Sequence, residues 1–107
     1  MKSLSDALVS VTEQTYHYFA PPGTEAPYIV WAEDGRNDLI AGCVHAEKAW
    51  TGTVDLFTGS ENDKKVLMVE SALEFAGVAY SLVSVAYEEE TGLIHYSWDW
   101  ENPDGND

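Results

Sequence analysis

The sequence predicts an α+β fold: a mainly antiparallel four-stranded sheet with two helices on one face, in the order α-β-β-α-β-β. Three observations predict it. Apolar residues recur at helical spacing near the start of the chain and again from Val66 to Ala76. Four separate segments are rich in β-branched and aromatic residues, and the last two are joined by a short turn that suits an antiparallel hairpin.

From Ser3 to Phe19, Leu4, Leu8, Val11, Tyr18 and Phe19 follow helical spacing with Ala7 and Thr15 between them, and Ser3 or Ser5 is placed to cap the start. Ala20-Pro21-Pro22-Gly23 ends this helix, because proline cannot continue the backbone ladder. Tyr28 to Ala32 is the first strand, bounded by Pro27 and by the turn-prone Glu33-Asp34-Gly35. Arg36 to Lys48 shows no clean period; a short extended piece at Leu39-Ile40 and a protruding loop both remain open there.

Trp50 to Thr58 alternates, with Trp50, Val54 and Leu56 on one face and Thr51, Thr53, Asp55 and Phe57 on the other. Ser60-Glu61-Asn62-Asp63 offers a side-chain cap and early acids for a second helix. Val66, Leu67, Val69, Leu73 and Ala76 form its apolar stripe, and Gly77 stops it. Val78 to Tyr87 and Leu93 to Trp100 are the last two strands. Residues 1–101 are expected to form one α+β domain and residues 102–107 a polar tail, since 107 residues support one modest core but not two.

The final hairpin can be tested for register. With a loop of two or four residues, Val83, Val85 and Tyr87 share a face with Ile94, Tyr96, Trp98 and Trp100, and burial under the helices favours this arrangement. The opposite face then carries Leu93, His95, Ser97, Asp99 and Glu101 as an outward row, with Glu88-Glu89-Glu90 at the turn.

Charge narrows the function. Five Lys and Arg stand against 19 Asp and Glu, a formal net charge of -14. Such a chain is not built to grasp nucleic acid or an anionic membrane, both of which draw their affinity from basic residues. DNA mimicry and a DNA-repelling wall remain compatible with the sign. Cys43 is the sole cysteine, so neither an internal disulfide nor a cysteine-based metal cluster is expected within one subunit. The start of the chain lacks the apolar run of a signal peptide, and no stretch approaches the ~20 apolar residues that span a bilayer.

The chemical candidates are few. His95 and Asp99 are spaced i, i+4, but in a strand that separation is about 13 Å, too far to share one metal ion. His17, His45 and His95 lie on three different elements with no HxH, HExxH or DxDxDG pattern. Glu88, Glu89 and Glu90 contain the carboxylates an acid/base pair would need, yet adjacent turn carboxylates are ordinarily solvated. No phosphate loop, GxSxG elbow or Cys/His pair supports another reaction class. The expectation is a binding protein without catalysis or cofactor. Its candidate contact surface is His95, Ser97 and Asp99, the turn residues Glu88, Glu89 and Glu90, and the acids Asp34 and Asp38.

The blocks YIVWAEDG (Tyr28 to Gly35), GTVDLFT (Gly52 to Thr58) and ETGLIHYSWDWE (Glu90 to Glu101), in this order around a helix, resemble the small tail-completion or tail-terminator proteins of long-tailed bacteriophages and prophages. Arg36 to Lys48 departs from that pattern. The resemblance implies an α+β subunit that assembles with itself as a ring, typically a hexamer, at the head-proximal end of the tail tube. There it would stop polymerisation of the tail-tube protein and dock to the head-tail connector, assembling in the host cytoplasm and ending in the virion tail. DNA would pass through the ring unbound, an acidic lining letting it slide. Independently, the expected strands carry no proline and few lysines to discourage pairing, so a sheet edge invites a neighbouring subunit or the Arg36 to Lys48 loop. Two other readings fit the composition: an acidic DNA-mimic inhibitor of a host DNA-binding protein, and a carbohydrate-binding module that stacks sugars on exposed Trp31, Trp50, Trp98 or Trp100.

Overall fold

A computed structural model describes residues 3–38 and 48–102. The elements are α1 (Leu4–Val9), β1 (Thr15–His17), β2 (Tyr28–Asp38), β3 (Lys48–Thr58), α2 (Lys65–Ala76), β4 (Ala79–Glu88) and β5 (Leu93–Asn102). The strands form one five-stranded sheet in the order β1-β2-β3-β5-β4. β1 runs parallel to β2, and the other neighbours are antiparallel. The α+β class therefore matches the sequence, but the sheet is mixed and has one strand more than the four expected.

The extra strand comes from the second half of the first expected helix. Ser3 caps α1 through its hydroxyl, which accepts from the Asp6 backbone N–H at 3.4 Å, and the helix ends at Val9. Beyond it, short polar side chains offer the backbone other partners. The Ser10 hydroxyl donates to the Ala7 carbonyl at 2.5 Å, and the Thr15 hydroxyl donates to the carbonyl of Thr12 at 2.7 Å. Such local bonds compete with helix propagation, and the β-branched residues here suit a strand. Tyr18 and Phe19, spaced as if on a helical stripe, are 59% and 73% exposed.

β2 also runs further than expected. Glu33-Asp34-Gly35 does not turn; it forms a β-bulge, with Glu33 opposite Gly52 and Gly35 opposite Thr51, so Asp34 is the extra residue. Within the Arg36 to Lys48 segment, Arg36 to Asp38 continue β2 and Lys48 begins β3. The Leu39-Ile40 reading and His45 lie outside the described residues.

α2 is anchored at both ends. Asp63 accepts the Lys65 backbone N–H at 2.9 Å through Oδ1 and the buried Thr58 hydroxyl at 2.5 Å through Oδ2, tying the helix start to the end of β3. Burial alone would raise the Asp63 carboxyl, but these hydrogen bonds and the Lys65 charge outweigh it and hold the group below its ordinary value. Gly77 closes the helix in the left-handed region at φ 79°, with Val78 N–H returning to the Leu73 carbonyl.

Both helices pack on one face of the sheet. Leu4, Leu8, Val69, Leu73 and Ala76 meet Ile29, Trp31, Val54, Leu56, Trp98 and Trp100 in the core. The two buried C-terminal tryptophans have their ring N–H groups satisfied: Trp98 donates to Glu70 Oε2 at 3.0 Å and Trp100 to the Thr53 carbonyl at 3.1 Å. Gly52 makes room for this arrangement, because a Cβ there would fall 2.4 Å from the Trp100 ring. Trp50 shares the expected face with Val54 and Leu56 but is 38% exposed. Asn102 belongs to β5, paired with Trp50 and buried, so the strand reaches one residue into the expected tail.

The hairpin register is as expected at its tip. Glu88 pairs with Leu93, Tyr87 with Ile94 and Val85 with Tyr96 around a four-residue loop. A bulge between Leu82 and Ser84 then changes the partners. Leu82, rather than Val83, faces Trp98, and Tyr80 faces Trp100. α2 also differs from a one-sided stripe: Leu67 is 69% exposed, with Met68 and Phe75 also outward.

Candidate contact surface

The face of the sheet away from the helices is built from cross-strand rows. Tyr28, Phe57, His95 and Ala86 form one; Val30, Asp55, Ser97 and Ser84 the next; Ala32, Thr53, Asp99 and Ser81 the third. His95, Ser97 and Asp99 thus stand in the outward row that alternation requires, and Asp99 is the exposed member.

His95 gathers the turn and the neighbouring strand. Its Nε2 lies 2.7 Å from Asp55 Oδ1 and its Nδ1 lies 3.4 Å from Glu88 Oε2. The ring stacks on Phe57 at 4.2 Å, and Phe57 stacks on Tyr28 at 4.7 Å. Burial pushes the Tyr28 phenol up, with the negative charge of Glu88 adding to it. The histidine is held flat on an aromatic ladder with a carboxylate beside each ring nitrogen.

The turn is ordered by its own residues. Gly92, at φ 71°, returns its N–H to the Glu88 carbonyl at 2.8 Å, and the Thr91 hydroxyl donates to Glu88 Oε1 at 3.2 Å. Glu88 points back to His95, while Glu89 and Glu90 are exposed. Asp34 sits on the β2 bulge and accepts the Thr51 hydroxyl at 2.8 Å. With Asp99 and Glu101 it borders a hollow of about 500 Å³. Asp38 lies in β2 opposite Lys48. The candidate acids therefore do not form one cluster: Glu88 meets His95, Glu89 and Glu90 lie on the turn, Asp34 and Asp99 border the hollow, and Asp38 lies further along β2. Among the described residues, no three His, Cys, Asp or Glu side chains converge where they could hold a metal ion.

On the opposite face, His17 stacks between Trp31 and Tyr18, with centroids at 4.0 and 4.2 Å. His17 Nε2 is 2.8 Å from Glu33 Oε1, and the Tyr18 hydroxyl donates to the same oxygen at 3.0 Å. Burial would raise the Glu33 carboxyl, but the hydrogen bonds from His17, from its own backbone and from Tyr18 outweigh it, leaving it below its ordinary value. Tyr18 has φ 76°, unusual for a residue with a side chain, and its backbone N–H and hydroxyl are both bonded in that conformation.

Asp55, Phe57 and Tyr28 were not among the sequence candidates, although the alternation of Trp50 to Thr58 already set Asp55 and Phe57 outward. Exposed apolar surface is the larger omission. Leu82, Val83, Val85 and Tyr87 on the edge strand β4 are 43%, 52%, 55% and 65% exposed. A groove of about 600 Å³ between α1 and α2 is lined by Ala7, Val11, Leu67, Met68 and Phe75.

No family model matches the sequence, and no curated protein matches it. Among solved structures, the chain is similar to a chain from the virion of a native gene transfer agent particle. The two share a TM-score of 0.56 at 12% sequence identity, over 89% of this chain and 81% of that one. At that identity the likeness is one of fold.

Proposed function

We propose that the chain is a structural subunit of a bacteriophage or prophage virion, forming a ring that ends the tail tube and joins it to the head connector. The observation that carries this reading is the likeness of nearly the whole fold to a chain of a virion. It is supported by the large apolar residues left exposed on β4 and α2, surface of the kind that marks contact sites with other chains. The chemistry is binding, with no bond made or broken.

In such a ring the open face of the sheet is the surface suited to passing DNA. Asp55, Glu88 and Asp99 present carboxylates there, which repel phosphates and keep DNA from sticking. Tail tubes from the same phage or prophage, mixed with the purified chain and viewed by electron microscopy, test the reading. Caps at one tube end, with limited tube length and a ring mass by native mass spectrometry, are expected. A chain that neither caps tubes nor limits their length overturns it; salt-sensitive capture of a DNA-binding protein by a chain that does not cap would favour the acidic mimic instead.

A further inference from the structure

The edge strand β4 is self-complementary. Its helix-side stripe is Tyr80, Leu82, Val85 and Tyr87, the residues opposite Trp100, Trp98, Tyr96 and Ile94 of β5. The bulge between Leu82 and Ser84 makes this stripe symmetric: one residue lies between Tyr80 and Leu82, one between Val85 and Tyr87, and the irregularity falls between the pairs. Without the bulge, the face would switch midway and the symmetry would be lost.

We propose that two copies of the free chain pair antiparallel through β4, about a two-fold axis between Val83 and Ser84. Leu82 then faces the partner's Val85, and Tyr80 faces the partner's Tyr87, each pair on the helix side of a sheet continuous through both copies. A two-fold interface requires this reciprocity, residue i meeting j and j meeting i. The pairing also satisfies the backbone groups that an edge strand leaves open.

The self-complementary register names a second copy as the occupant, and charge leaves this strand as the place where it can sit. Each chain carries a net charge of -14, so copies repel over most of their surface, but residues 79–87 contain no charged side chain. Glu88 ends the strand, opposite the partner's Ala79, so the two Glu88 residues lie at opposite ends of the pair. Nine residues of strand separate them by about 30 Å, several Debye lengths at physiological salt. A basic partner would be drawn to the carboxylates elsewhere rather than to this strand. The other sheet edge, β1, has three residues and is too short to take up β4 head to tail.

This pair is independent of the ring. It has two identical ends, whereas a joint between tube and connector needs two different ones, so it is a state of the free chain that ring formation would separate. Native mass spectrometry and sedimentation over a concentration series test it with Leu82→Lys, Val85→Glu and the double variant, each checked for folding by circular dichroism. Both positions are exposed in the single chain. The wild type is expected to dimerise, and each single variant to bind its own copy about tenfold or more weaker, because it sets an unpaired charge in an apolar interface. The double variant should recover, since only in this register do the introduced opposite charges face each other twice. A wild type monomeric throughout, single variants that dimerise like the wild type, or a double variant that fails to recover overturns the pairing. Tube capping is scored separately, so failure of the ring reading leaves this result intact.

Discussion

Gly52→Ala puts a methyl group where the sheet has no room for it. Gly52 lies in β3 between Glu33 of β2 and Trp100 of β5. An ideal Cβ would stand 2.1 Å from the Ala32 carbonyl oxygen and 2.4 and 2.6 Å from two Trp100 ring carbons. A carbon and an oxygen need about 3.3 Å, so β2 would have to retreat by about 1.2 Å. Neither neighbour yields readily: Ala32 is paired to Thr53, and the Trp100 ring is buried with its N–H on the Thr53 carbonyl. Overpacking costs typically 1–3 kcal/mol, and a clash with backbone belongs at the upper end, about 3 kcal/mol. The stiffer unfolded chain of alanine offsets up to about 1 kcal/mol. The net loss is then about 2 kcal/mol, or a fall in Tm of about 8–16 °C for a domain of this size. Gly59→Ala is the control, because its Cβ would meet only Leu93 Cδ2 at 3.9 Å. Thermal and urea unfolding followed by circular dichroism compare the two. A Gly52→Ala variant as stable as Gly59→Ala would refute the close packing of Trp100 over β3.

Asp63→Asn tests the link between β3 and α2. The Asp63 carboxyl is held below its ordinary value in the folded chain, so its contribution is present above about 3.8, the ordinary value, and is lost as pH falls through the lower folded value. Wild-type stability should therefore fall more steeply than that of the variant in acid; parallel pH profiles would remove Asp63 from the account. Trp31, Trp98 and Trp100 are buried and Trp50 is 38% exposed, so acrylamide should quench chiefly Trp50. Trp50→Phe is expected to remove most of the quenchable emission, and strong residual quenching would revive the sugar-platform reading. His95→Ala should cost about 1 kcal/mol through the lost ring stacking and the lost contacts to Asp55 and Glu88. A double-mutant cycle with Phe57→Leu should show coupling, and strict additivity would argue against the aromatic ladder.

Alternation was the most dependable sequence signal. It set His95, Ser97 and Asp99 outward and Trp98 inward, because one buried face dictates parity all along a strand. Turn chemistry served at Gly77 and Gly92, where left-handed backbone is required. Periodicity misled from Thr15 to Phe19, where a spacing compatible with a helix was overridden by hydroxyl side chains that bond the backbone locally. Glu33-Asp34-Gly35 has turn composition, but a bulge accepts the same residues. Strand order is invisible to local pattern. The meeting of His95 with Asp55, 40 residues away, follows from β5 lying beside β3, and no spacing in the sequence records it. The symmetric stripe on β4 was hidden for a related reason, since a one-residue bulge must be placed before its faces can be assigned.

The place of β5 carries a consequence for how the chain is made. Every other strand precedes it in the sequence, yet it lies between β3 and β4. A chain made only as far as β4 holds two strands whose common neighbour has not been synthesised. At translation speeds of about 5–20 residues per second, the remaining stretch takes about one to three seconds, during which the far edge of β3 and the β4 stripe lack the strand that joins them. Beyond β3 the sheet cannot grow in order of synthesis; β4 joins only when β5 arrives to stand between them. A stop codon before Leu93 would leave no smaller version of this fold, only a β1-β2-β3 fragment and an orphaned β4.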